Sequence, residues 1–309
     1  MTVNQAEASA TRANQIAAAL NDQLAHEPIT LRQLIWRQFL RHRLAVYSSI
    51  ILTLLILSAV FAPLIAPHSP SYIDPLAFDQ GPTAQHPLGT DRVGRDVLSR
   101  LIYGGRISLS VGVVAVSIYM VIGMILGALA GYYGGWVDGI ISRIIDVVLS
   151  FPYLMLILVL VSLLGPGLRN IMLVLGLLGW PQVARILRGE FLRLRSNDFV
   201  MAARVVGAKD SRIIVNHILP NAMGPMLVAA TFGVANAILA ESALSFLGLG
   251  VQPPASSWGQ MLNDAQSLTI LESKPWLWVP PGIMILISVL TINFVGDGLR
   301  DALDPQLRR

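Results

Sequence analysis

Of 309 residues, 54% are hydrophobic and only 13% are charged, with a mean hydropathy of +0.63. Soluble domains carry about 25% charged residues, so a globular core does not account for the deficit and the chain reads as an integral membrane protein. The net charge of +4 sits almost wholly in arginines beside apolar runs, which excludes nucleic acid as a partner, and the lack of cysteine excludes disulfides, thiolate metal sites and cysteine nucleophiles.

Met1 to Thr30 is polar and rich in Ala, Gln and Asn, without the apolar core of a signal peptide; it reads as a disordered cytoplasmic tail. A helix needs about 20 apolar residues to cross the hydrocarbon layer. Four stretches qualify outright: Leu44 to Pro67, Ile107 to Val137, Val147 to Leu168, and Pro275 to Gly296. Between the first two lies "GTDRVGRDVLSRLIYGGR". Its acid-first pairs Asp91–Arg95 and Asp96–Arg100 and its stripe Val97, Leu98, Leu101, Ile102 predict a short amphipathic helix on the membrane surface. Asn170 to Ala184 is shorter and interrupted by Pro181, so it crosses only if the stems of Arg185 and Arg188 snorkel to the interface. A sixth span runs from about Ala222 to Leu247.

Six spans with basic residues favouring one side place both termini in the cytoplasm. Arg32, Arg37, Arg41, Arg43, Arg143, the run from Arg185 to Arg212, Arg300, Arg308 and Arg309 fall inside. Arg92, Arg95, Arg100, Arg106, Arg169 and Lys274 fall outside.

The cytoplasmic run includes "FVMAARVVGAKDSRIIVNHILPNA". Asp198 is placed to cap a helix from Phe199 to Val206 that ends at Gly207. Asp210 or Ser211 caps a second helix that stops before Pro220. Two readings fit a bent helical pair with a small-residue corner. One is an amphipathic loop resting on the membrane; the other is an element that docks into a cytoplasmic partner, with Gly207 and Ala208 allowing close approach and Lys209 and Asp210 giving specificity.

Catalytic and metal motifs are absent: no HExxH, no G-x-S-x-G, and no G-x-x-x-x-G-K, since neither lysine follows a glycine. The five histidines are too scattered to suggest a metal site. Asn236 and Glu241 are the polar candidates inside a span, for helix packing or for a transport pathway. Sparse intramembrane charge and the absence of repeat halves disfavour a self-sufficient carrier or channel, and a membrane-embedded enzyme is less favoured still.

Ala202, Ala203, Gly207, Leu219 and Pro220 resemble the EAA signature of the membrane subunits of bacterial ABC importers, with Met201 standing where that pattern has glutamate. "HPLGTDRVGRDVLSRLIYGGRISL", "AGYYGGWVD", "ESALSFLGLGVQPPASSWGQML" and "VGDGLRDALDP" narrow the resemblance to the C-type permeases of the dipeptide, oligopeptide and nickel importer group, from about residue 31 onward. The resemblance implies an all-α type I importer fold, with an N-terminal region over residues 31–105 and a core domain over 106–299 that holds a coupling segment at about 198–220. Ala202, Ala203, Gly207, Ala208, Lys209 and Asp210 would form the ATPase-coupling interface. It also implies a second permease subunit, two ATP-binding subunits that carry ATP and magnesium, and an extracytoplasmic binding protein. This chain itself would bind no cofactor and catalyse nothing. Peptides are the implied substrate, with nickel, glutathione or another small solute as alternatives.

Overall fold

The computed structural model describes residues 31–303; the expected N-terminal tail and the last arginines lie outside the described residues. Helix α1 (Leu31–Arg41) leads into α2 (Arg43–Val60), which His42 caps by accepting the Ala45 N–H at 3.1 Å. A segment with little regular structure follows, and then α3 (Val97–Tyr133) runs for 37 residues, about 55 Å at the helical rise. The expected surface helix is therefore the first turns of α3. Asp96 does not pair with Arg100; its carboxylate caps α3 by accepting the Ser99 N–H at 2.7 Å. Arg100 can lie inside this helix because distant acids meet it, a partnership that local spacing cannot show.

After Gly134, α4 (Gly135–Leu149) and α5 (Tyr153–Leu164) meet at a bend of 84°. The uninterrupted span expected over Val147 to Leu168 is thus broken. The physical reason is Pro152, which lacks an N–H for the ladder and disfavours helix in the residue before it. The opposite correction applies to the span that looked too short. α6 (Leu168–Leu178) and α7 (Trp180–Leu194) form one apolar unit of 27 residues. Pro181 lies at the start of α7, where a missing N–H costs nothing. Arg185 and Arg188 do not snorkel free. Arg188 forks onto Asp138 of α4, with its Nη2 2.7 Å from Oδ2, and Arg185 meets Asp146 at 3.0 Å.

Helix α8 (Asp198–Val205) opens the charged island, with Asn197 rather than Asp198 at the cap position. The chain then turns through Asp210–Arg212 and a π-helical stretch, Ile213–Ile218, into α9 (Leu219–Phe246). The expected stop before Pro220 does not occur. The wide π turn ahead of it absorbs the proline, which again occupies the start of a helix. Helix α10 (Trp258–Asp264) lies across the far end, and α11 (Val279–Leu303) completes the bundle. Among the described residues there is no strand, only a bridge between Thr90 and Asp96.

The core is a slab in which α3 packs on α7 and α9. Gly123, Gly127 and Gly131 line one face of α3. A Cβ there would sit 2.6 Å from Val183 Cβ, 2.6 Å from Ala184 O and 2.5 Å from Phe191 Cβ. Lipid tails give helices no hydrophobic reason to associate, so close backbone approach at small residues supplies the packing contact instead. Among the described residues, five helical units are long and apolar enough to cross a membrane, or six if the bent α4–α5 pair forms one span.

Candidate functional site

The island is a corner tied to the end of α3. Gly207 adopts φ +82°, and its N–H and that of Ala208 donate to Arg204 O and Ala203 O at 2.9 and 3.0 Å. This double closure ends α8 and needs the left-handed conformation glycine takes freely. Inside the corner, Val200, Ile213 and Ile218 are fully buried, and Ala203 and Ala208 pack against the same core. The Tyr132 hydroxyl donates to Asp210 Oδ1 at 2.6 Å, and the Arg204 guanidinium lies 5.5 Å from the centre of the Tyr132 ring. Just ahead of the island, Arg195 at the end of α7 adds a bond to Gly131 O at 3.2 Å. These contacts join the island to α3 as one piece.

Its outer face is unfinished. Val205 and Val206 are each 87% exposed and Met201 53%, beside exposed Ala202, Gly207 and Lys209. Nothing lies within 4 Å of a Cβ added at Gly207. The six residues grouped from sequence therefore divide: Ala202, Gly207 and Lys209 face outward, Ala203 and Ala208 face the core, and Asp210 is engaged by Tyr132. Sequence reasoning counts Val205 and Val206 among apolar positions too many for a free loop but leaves them out of the interface, and it misses Tyr132 as the anchor. A β-branched pair just ahead of the helix-ending glycine was the available signal.

A cavity of about 1490 Å³ opens along α3, α7 and α9, from Tyr119 and Asn236 near mid-bundle to Glu190, Arg193 and Arg300 at the island's end. Asn236 lines it; Glu241 does not. The Glu241 carboxylate is fully buried and accepts from Ser108 at 3.2 Å and Ser245 at 2.7 Å. Ser108 in turn accepts the Trp258 N–H at 3.2 Å, so this glutamate joins α3, α9 and α10 near the end opposite the island.

That opposite end is a cap built from residues 66–100 and 250–278. Asp91 receives Arg95 at 2.7 Å and Arg100 at 2.5 Å. Arg100 also donates to Gln260 at 2.7 Å and Asp264 at 3.0 Å. Two histidines that seemed scattered in sequence, His68 and His86, come together here, with ring centres 5.1 Å apart.

Comparison with known proteins places this geometry. Residues 123–309 match the family described as binding-protein-dependent transport system inner membrane component, and residues 30–84 match the N-terminal TM domain of oligopeptide transport permease C. A putative peptide permease protein of Brucella suis biovar 1 (strain 1330) is 45% identical over 87% of this chain and 89% of its own length. The dipeptide transport system permease protein DppC of Bacillus subtilis (strain 168) is 44% identical over 93% of this chain and 90% of its own. The glutathione transport system permease protein GsiD of Escherichia coli O1:K1 / APEC is 42% identical over 88% and 90%. Among solved structures, an inward-facing conformation of the MetNI methionine ABC transporter superposes with a TM-score of 0.54 at 20% identity. That match covers 66% of this chain and 96% of the other.

Proposed function

The chain belongs to the family of binding-protein-dependent transport system inner membrane components, and on that premise we propose that it forms one half of the pathway of an ABC importer for short peptides. It pairs with a second permease in the inner membrane. Two ATP-binding subunits work below it and an extracytoplasmic binding protein delivers substrate above. ATP is hydrolysed by the partners, and this chain converts their closure into a change of access by differential contacts in two states.

The observation that carries this reading is the island: an apolar corner exposed at Val205 and Val206, yet bolted through Tyr132 and Asp210 to α3. A rigid, uncovered knob joined to the longest helix suits the passing of force better than a loop resting on lipid. The cavity opens toward the same end, as an inward-facing half-pathway would. Substrate class rests on the relatives, whose names include peptide, dipeptide and glutathione permeases.

The test is uptake into proteoliposomes holding both permeases and both ATP-binding subunits, with the cognate binding protein loaded in turn with a dipeptide or glutathione. Expected is ATP-dependent accumulation that Val205→Asp/Val206→Asp abolishes without loss of the permease pair. Uptake driven without the ATP-binding subunits sinks the importer reading. Topology is tested by Lys209→Cys in this cysteine-free chain, which an impermeant thiol reagent should label only from the cytoplasmic side.

A further inference from the structure

His86 lies in the cap, 2% exposed, with both ring nitrogens facing carboxylates: Nδ1 is 3.0 Å from Asp96 Oδ1 and Nε2 is 3.6 Å from Asp74 Oδ2. A neutral imidazole carries a single N–H. It can satisfy one of these acceptors, and the other nitrogen then turns a lone pair toward a carboxylate. With the N–H on Nε2, the 3.0 Å contact of Nδ1 sets a lone pair against the Asp96 carboxylate, which either a second proton or a bound cation resolves. His68 closes the third side, because ligand-capable atoms of His68, His86 and Asp96 all lie within 4.8 Å of one another.

We propose that His68, His86 and Asp96 bind a divalent transition-metal cation of the zinc class, with Asp74 as the outer carboxylate that faces His86 Nε2 from 3.6 Å. Three observations favour a cation beyond a proton. The donors are two imidazoles and a carboxylate, a set suited to zinc-like ions and not to calcium or magnesium, which take oxygen ligands. Bonds of about 2.0–2.1 Å place tetrahedral ligands roughly 3.3 Å apart, so the 3.0 Å between His86 and Asp96 needs only a few tenths of an ångström of movement. The ligands are also held in place beforehand. Asp96 Oδ2 accepts the Ser99 N–H at 2.7 Å, the backbone N–H of His68 donates to Ser99 Oγ at 3.0 Å, and Asp74 Oδ1 accepts the Leu76 N–H at 2.9 Å. A carboxylate on the outer nitrogen of a ligating histidine fixes its tautomer and raises its basicity. The charges of Asp74 and Asp96 match a dication. Bound there, the ion would staple the segment after α2 to the start of α3. This site stands apart from the importer reading.

The experiment uses the full chain, purified through a tag without histidine, placed in lipid nanodiscs and stripped of metal with a chelator. Zinc chloride is titrated calorimetrically, and bound zinc is counted by elemental analysis. One zinc per chain is expected. His68→Gln and His86→Gln should each weaken binding about 100-fold, Asp74→Asn about tenfold, and His217→Gln not at all. His68 is half-exposed, so His68→Gln keeps the fold and decides the matter even where the buried His86→Gln fails to fold. A wild-type chain that takes up no zinc, or His68→Gln with wild-type affinity, overturns the proposal.

Discussion

The two ends of α3 are built on opposite plans. At the cap, charged side chains are buried and answered from far along the chain, as where Arg100 meets Asp91, Gln260 and Asp264. At the island, the apolar side chains are the ones left uncovered, and the polar contacts serve to anchor the corner and not to cover it. A cap that pairs its buried arginine and aspartates within the chain behaves as a finished part. An island that buries its inner face and leaves Val205 and Val206 in the open is a part awaiting its complement. Changes at the cap should therefore act through folding, and changes at the island through assembly.

The largest effect should come from Arg100→Leu. Removing one partner of a buried ion pair costs about 3–5 kcal/mol, because the buried Asp91 loses that partner while Asp264 stays partly solvated. Arg95 still faces both Asp91 and Asp264, 2.7 and 3.5 Å away, which puts the expected loss toward the lower end. The measurement is thermal unfolding in detergent, and an unchanged midpoint would break the contrast at its stronger side. Gly207→Glu comes next, with a different signature. Its Cβ meets nothing in this chain, so the cost within the fold is the left-handed backbone, about 1–2 kcal/mol. Insertion and pairing with the second permease should stay normal, while retention of the ATP-binding subunits, read by co-purification, should be lost. Full retention together with full ATPase stimulation would move the joint elsewhere.

What the sequence made legible follows the range of each interaction. Charge-free length marks α2, most of α3 and α11, because lipid imposes that rule residue by residue. The continuity of the first turns of α3 with its span was hidden, since Arg100 looks like a surface residue until Asp264 appears beside it. The break at Pro152 was written in "SFPY" and yields to a local rule, as does the Gly123, Gly127, Gly131 stripe, whose spacing announces a close helix contact. Pro181 and Pro220 mislead the other way: a proline interrupts a helix only when it does not stand at the start of the next. In the island, the corner at Gly207 was legible because it is local, whereas the division into inward Ala203 and outward Ala202 depended on packing against Val200 and Ile213. The same reason hid the meeting of His68 and His86, which only the folded cap brings about.

Smaller effects test the grading within each end. Glu241→Gln keeps an oxygen for one serine and offers an N–H to the hydroxyl of the other, so Ser108 and Ser245 both retain a partner. Loss of about 1 kcal/mol or less is expected, with transport largely kept. Glu241→Ala strips the acceptors from both hydroxyls and should lower the unfolding midpoint clearly. A Glu241→Gln protein that folds and assembles normally but transports nothing would put this carboxylate on the pathway although it does not line the cavity.

The smallest effect belongs to Lys209→Ala. Lys209 stands exposed at the outer edge of the corner and forms no ion pair among the described residues. Any pair it makes with a partner subunit would be partly solvated, and such pairs contribute about 0–1 kcal/mol. Coupling should fall by no more than about fivefold, and less at high salt, where exposed pairs are screened. Asp210→Asn should behave differently although it is the next residue, because the Tyr132 hydroxyl can still donate to the amide oxygen and the corner stays anchored. Asp210→Ala releases that anchor and should weaken coupling more than Lys209→Ala does. ATP turnover stimulated by loaded binding protein, measured for the three variants at low and high salt, separates these expectations. If Lys209→Ala proved the most damaging, charge and not the apolar corner would be what the partner reads.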